Sequence, residues 1–214
     1  MIFQNRQEAG IKLAHELEMY KDREDVVVLG IPRGGVVTAY EVAKELNCPL
    51  DVTIARKIGA PSNPEFALGA VGEKGEVVLN PDVACEIKLG DPYIKEEAGR
   101  QREEIKRRLE MFREGGKGID FKNKIVIIVD DGIATGSTMQ AAVKSVREDK
   151  PSKIVVAIPV APPQSIEELE QEADEVVCLH QDPYFMAVGQ FYSEFSQTED
   201  EEVIEILKKA TLLH

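Results

Sequence analysis

The stretch Val129-Asp130-Asp131-Gly132-Ile133-Ala134-Thr135-Gly136-Ser137-Thr138 concentrates the residue types best suited to hold a ligand. Two adjacent carboxylates close an apolar run, and small, glycine and hydroxyl residues then open what reads as a helix. Backbone N–H groups at a helix N-terminus carry partial positive charge, and Gly136 would let a phosphate come close to them. Thr135, Ser137 and Thr138 add hydroxyl donors. Asp130 and Asp131 would repel a phosphate, but ionised carboxylates only accept hydrogen bonds, which suits a vicinal diol. Phosphate at one end of the turn and diol at the other describe a ribose 5-phosphate. The competing reading is a plain capped helix, with Thr135 or Ser137 as N-cap. A cap accounts for the hydroxyls, not for paired carboxylates on a strand of buried type.

Such a turn has to be positioned by the elements around it. Lys124 to Val129 is the strongest strand signal in the chain, and a helix is predicted from Ser137 to Glu148. Upstream, the pattern predicts a helix over Asn5 to Met19 with Ala9, Ile11, Leu13, Ala14 and Leu17 on its packed stripe. A β-branched strand runs from Val26 to Ile31, the turn Pro32-Arg33-Gly34-Gly35 breaks it, and Val36 to Leu46 is helical. A second strand covers Leu50 to Ala55. The Gly/Pro-rich stretch Gly59 to Pro64 follows as a mobile loop, and Leu68 to Val71 with Glu76 to Leu79 form a short hairpin. A charged helix from Tyr93 to about Glu114 buries Ile94, Ala98, Ile105, Leu109 and Phe112. Beyond the acid turn come strand Lys153 to Val160, helix Gln164 to Glu172, strand Glu175 to Leu179 and an amphipathic helix over Asp200 to Ala210. This alternation implies an α/β protein, a mostly parallel twisted sheet flanked by helices, with ligands at the carboxyl ends of its strands.

Composition narrows the function classes. The 214 residues suit a single domain over 1–214, and 43% hydrophobic with 30% charged residues is ordinary for a folded protein. A net charge of -13 disfavours nucleic acid and anionic membrane as partners, because both need a basic face. The cluster Lys106-Arg107-Arg108 is interleaved with Glu103, Glu104 and Glu110 and reads as a solvated helix face. An anionic ligand therefore requires a few well-placed cations. Cys48, Cys85 and Cys178 form no C-x-x-C pair and read as small apolar residues of a reducing compartment. The acidic start lacks a signal-peptide pattern, so a cytoplasmic location is expected.

The run Val-Asp-Asp-Gly-Ile-Ala-Thr-Gly-Ser-Thr-Met resembles the 5-phosphoribosyl 1-pyrophosphate (PRPP) motif of the type I phosphoribosyltransferases, with Gly132 where an aliphatic residue is usual. Its nearest match is the group known as predicted phosphoribosyltransferases, whose substrate is not established. The resemblance implies that fold, with a small hood from about 1–20 and 180–214. It implies that Asp130 and Asp131 bind the ribose hydroxyls and that Ala134, Thr135, Gly136, Ser137 and Thr138 cradle the 5-phosphate. Pro32-Arg33-Gly34-Gly35 resembles the family's pyrophosphate loop, and Arg56-Lys57 matches a basic pair that helps bind pyrophosphate. Ile58 to about Val71 would be the loop that closes over the ligands, with Glu65 a candidate for proton transfer and Lys57 for catalysis. Asp182 to Tyr192 resembles the hood segment in which an aromatic stacks on the base, here Tyr184 or Phe185. The spacing from Phe185 to Gly189 differs by one residue, and Glu194 is only near the position of the acid that reads a purine edge. Ala134 stands where enzymes acting on 6-oxo purines carry an acid, which counts against that mechanism.

The implied activity is nucleotide-salvage chemistry of the glycosyltransferase class. Ribose 5-phosphate passes from PRPP to a nitrogen nucleophile, a purine-like base, and pyrophosphate leaves with Mg²⁺ held mainly by PRPP itself. The alternative is a PRPP-binding regulator without turnover. The family suggests a homodimer.

Overall fold

The computed structural model describes residues 2–61, 63–80 and 91–212, and for 63–65 the backbone alone. Cys85 and the side chain of Glu65 lie outside the described residues. The elements run α1 (Arg6–Glu16), β1 (Val26–Gly30), α2 (Gly34–Leu46), β2 (Leu50–Val52), β3 (Arg56–Ala60), β4 (Asn63–Val71), β5 (Val77–Leu79) and α3 (Pro92–Phe112). They continue with β6 (Ile125–Val129), α4 (Ser137–Arg147), β7 (Lys153–Ala161), α5 (Pro163–Leu169), β8 (Glu175–Gln181) and α6 (Asp200–Thr211).

Five strands form an all-parallel sheet in the order β2-β1-β6-β7-β8. Because side chains alternate across a strand, each strand divides its residues between two cores. Val27, Leu29, Val126, Ile128, Ile154, Val156 and Ile158 pack on α4 and α5. Val26, Val28, Ile125, Ile127, Val129, Val155 and Ala157 pack on α1 and α2 through Leu13, Ala14, Leu17, Ala39 and Val42. Burial on both faces explains why β1 and β6 are unbroken aliphatic runs. α1 thus covers the sheet, while residues just before it join the far end of the chain: Phe3 N–H donates to Phe191 O at 2.7 Å, and Ser193 N–H to Phe3 O at 2.8 Å.

The remaining strands make a separate antiparallel sheet, β3-β4-β5. The expected hairpin of Leu68 to Val71 with Glu76 to Leu79 is present as β4 and β5, while the loop expected over Gly59 to Pro64 is corrected, since Arg56–Ala60 and Asn63 onward pair as β3 and β4. Ile58, Leu68 and Val71 are apolar enough to pack on Ile94, Ala98 and Ile105 of α3, and that packing holds the segment as paired strands. The expected stripe of α1 is corrected at Ile11, which is 37% exposed; helical spacing places it off the face shared by Ala9 and Leu13. The helix expected over Gln164 to Glu172 is shorter, Pro163–Leu169, and β2 ends at Val52. All five apolar positions expected to be buried on α3 are buried.

Candidate functional site

The sheet order puts β1 beside β6, and the chain leaves these two strands in opposite directions, toward β2 and toward β7. A crevice opens wherever the order reverses in this way, at the carboxyl ends of the two strands. The turn Pro32 to Gly35 follows β1, and the turn Asp130 to Gly136 follows β6. Neither helix that begins there carries a side-chain cap. Gly136, in the left-handed region at φ 73°, precedes α4, and Arg33 precedes α2. Neither Thr135 nor Ser137 caps α4, so the capped-helix reading does not hold. α1 is capped by Asn5 and α3 by Asp91, whereas α5 and α6 are also uncapped. Lack of a cap alone therefore marks nothing; at the crevice the unpaired N–H groups of the α4 start border open space, whereas the start of α2 packs against Asp130 and Asp131.

A cleft of about 260 Å³ occupies that space, lined by Pro32, Lys57, Asp130, Ala134, Thr135, Gly136, Thr138 and Val188 among others. Of the residues expected at the site, it gathers Lys57, Asp130 and most of the 134–138 turn. Ser165 Oγ donates to Ala134 O at 2.9 Å and Ile133 N–H to Val160 O at 3.0 Å, which anchors the turn from α5 and β7. Ser137 is buried behind it. Gly34 and Gly35 sit against the acids. A β-carbon on Gly35 would approach Asp130 Oδ1 to 2.6 Å, and one on Gly34 would collide with Asp131 Oδ2. Their lack of side chains therefore serves contact between the two turns as well as any approach of ligand.

Several expected residues are placed elsewhere. Arg56 and Lys57 are neighbours on β3 and so face opposite ways; Lys57 reaches the cleft, while Arg56 Nε donates to Gln101 Oε1 on α3 at 2.5 Å. Burial, and then the nearby Arg108, pull the Arg56 guanidinium below its ordinary value. Arg33 turns toward the start of α6, with Nη1 at 3.4 Å from Glu199 Oε2 and 3.8 Å from Asp200 Oδ1. Asp131 pairs with Arg6 at 2.7 Å. Tyr184 is 85% exposed, and Phe185 stacks on Phe191 with ring centroids 5.3 Å apart. Burial, reinforced by the charge of Asp131, pushes the Asp130 carboxyl well above the ordinary carboxylate range. A ligand donating hydroxyl hydrogens there would relieve the crowding of two acids.

The sequence reading passed over three participants: Arg6, Tyr192 and Val188. Nothing local to Arg6 or Val188 could have found them, because each acts on residues more than fifty positions away. Val188 also explains Gly132. A β-carbon there would lie 2.7 Å from Val188 Cγ1 and 2.8 Å from Val160 Cγ2, so the space an aliphatic residue would take is already filled.

A larger cavity of about 450 Å³ opens between the ends of α3 and α6. Its floor of Leu50, Phe112 and Leu207 is apolar, and the Asp51 carboxylate beside it is filled by Arg113 Nε and by the N–H groups of Val52 and Ile119.

Comparisons with known proteins bear on the same region. The family model described as phosphoribosyl transferase domain matches residues 2–195. The crystal structure of TT1426 from Thermus thermophilus superposes with a TM-score of 0.81 at 46% identity, covering 98% of this chain and 99% of that one. The Mycobacterium tuberculosis protein named "Putative phosphoribosyl transferase Rv0571c" is 45% identical over 209 residues, 98% of this chain. That match takes up 47% of the relative, so the chain spans about half the length of the curated relatives it matches.

Proposed function

From a chain that belongs to the phosphoribosyl transferase domain family, we propose a PRPP-dependent transferase. Ribose 5-phosphate would pass from PRPP to a nitrogen nucleophile, a purine-like base in the first instance, with release of pyrophosphate. One observation carries the reading: an acid-ended strand, the uncapped start of α4 and a lysine converge on one cleft at the reversal of strand order, with Pro32 of the turn before α2 on its wall. In this reading Asp130 and Asp131 accept from the ribose hydroxyls, and the N–H groups and hydroxyls of Ala134 to Thr138 hold the 5-phosphate. Gly34, Gly35 and Lys57 lie on the pyrophosphate side. Lys57 would stabilise charge developing on the leaving group, which is worth most where the cleft excludes water. Arg33 would have to leave Glu199 and Asp200 to reach pyrophosphate, and Arg56 would act only after moving from Gln101. Tyr184 and Phe185 remain proposals for the base. Glu65 keeps its place as a proposed proton-transfer group on the β4 backbone.

The family implies Mg²⁺, which in this reading arrives on the oxygens of PRPP. Among the described residues, no group of three His, Cys, Asp or Glu is placed to hold a metal ion. No described helix is long and apolar enough to cross a membrane; a cytoplasmic homodimer without nucleic-acid partners completes the proposal.

The test is pyrophosphate release from PRPP and Mg²⁺ across a panel of bases and amines. Release with one acceptor class supports transfer. Tight PRPP binding with no release supports the second reading, a PRPP-binding regulator. That reading draws on Arg33 being held by acidic residues, which leaves Lys57 the one cation lining the cleft among the described residues. Failure to bind PRPP refutes both.

A further inference from the structure

We propose that Arg6 is a positioning residue, fixing Asp131 so that ligand binding in the cleft depends on the docked segment Phe191 to Ser196. The proposal rests on the reading that Asp130 and Asp131 hold the ribose diol. Arg6 opens α1, where the helix dipole disfavours a cation, yet its side chain is only 10% exposed. Its surroundings supply the compensation. Nε donates to Asp131 Oδ2 at 2.7 Å and Nη1 donates to Ser196 O at 2.7 Å. The guanidinium lies 3.9 Å from the centroid of the Phe195 ring, and Phe195 stacks on Tyr192 at 5.1 Å. Tyr192 Oη in turn donates to Asp131 O at 2.5 Å, so the residue is gripped at both its carboxylate and its carbonyl. Space for the pair is left by Gly34, where a β-carbon would come within 2.7 Å of Arg6 Nε.

Three segments distant in sequence, at Arg6, Gly34 and Tyr192 to Ser196, therefore close on Asp131. A planar guanidinium can satisfy an acid, a carbonyl and an aromatic face together, which an ammonium cannot reproduce. Binding one oxygen of Asp131 fixes the rotamer and the direction of the other. Without Arg6 the carboxylate would be a buried charge with no counter-ion, beside Asp130.

The experiment is a calorimetric titration of PRPP with Mg²⁺ into wild type, R6K, R6Q, D131N and the R6Q/D131N double variant. R6Q should weaken PRPP by about tenfold, the scale of one lost charge-assisted hydrogen bond, and R6K by less. In the D131N background the same R6Q change should cost less than twofold, because its partner is gone. If D131N weakens PRPP and R6Q leaves its Kd unchanged while lowering Tm, Arg6 is merely structural and the proposal is overturned. Equal effects of R6Q in both backgrounds overturn it too. If D131N itself binds PRPP normally, the diol reading fails, and this proposal with it. Should R6Q not fold, R6K carries the same cycle.

Discussion

Gly35 and Asp130 share one volume: the β-carbon that any other residue would carry at 35 would lie 2.6 Å from Asp130 Oδ1 and 2.9 Å from Asp130 Cα. The turn after β1 thus shapes the acid turn after β6 by what it lacks. Gly35→Ala should displace Asp130 and cost about 1–3 kcal/mol in denaturant unfolding, as overpacking does. PRPP affinity should fall with it. An alanine variant with unchanged unfolding and PRPP titration would show that the turns have room to separate.

The paired carboxylates should make the ligand-free protein sensitive to pH in a set direction. Burial and the charge of Asp131 raise the Asp130 carboxyl above its ordinary range. A group more easily protonated when folded supports the fold fully below its unfolded value, about 3.9. That support is lost as pH rises through the raised folded value. Asp130→Asn carries no such charge. Its Tm relative to wild type should therefore climb as pH rises above the ordinary carboxylate range, and parallel Tm-against-pH curves would contradict the assignment.

The same acids should matter to ligand. Asp130→Asn combined with Asp131→Asn should weaken PRPP by a few kcal/mol, since hydrogen bonds from the diol to charged acceptors are lost. An unchanged titration in the double variant would sink the ribose assignment.

Lys57 is exposed within the cleft. Lys57→Ala should leave unfolding free energy within about 0.5 kcal/mol of wild type, as a surface change does. Pyrophosphate release should slow by far more. A large drop in Tm without ligand would mean that the lysine serves the fold.

Gly132 and Val188 should behave as a coupled pair. Gly132→Ala places a methyl against Val188 and Val160 and should destabilise by about 1–3 kcal/mol. Val188→Ala should return part of that loss in the double variant. Additive losses would indicate that Val160, not Val188, sets the limit.

Much of the architecture is legible in the sequence. The aliphatic runs of β1, β6 and β7 announce strands buried on both faces, and the period of Ile94, Ala98, Ile105, Leu109 and Phe112 announces the buried stripe of α3. The acid-then-glycine turn before Ser137 was equally visible, because a helix start with acids, glycines and hydroxyls is a local pattern. The hairpin ending at Leu79 is legible as well, but the glycines and prolines of Gly59 to Pro64 argue for a loop, whereas packing of Ile58, Leu68 and Val71 on α3 keeps β3 and β4 paired.

Sequence alone therefore determined the strands of the parallel sheet, the helices and the acid, glycine and hydroxyl turn between β6 and α4, since each depends on neighbours within a few residues. Tertiary structure alone decided which way each charge points. Arg56 goes to Gln101 and Lys57 to the cleft, Arg33 to Glu199, and Asp131 to an arginine 125 positions away. Those choices are made by charge pairing and excluded volume between segments that meet only when the sheet has formed, and no local pattern encodes them.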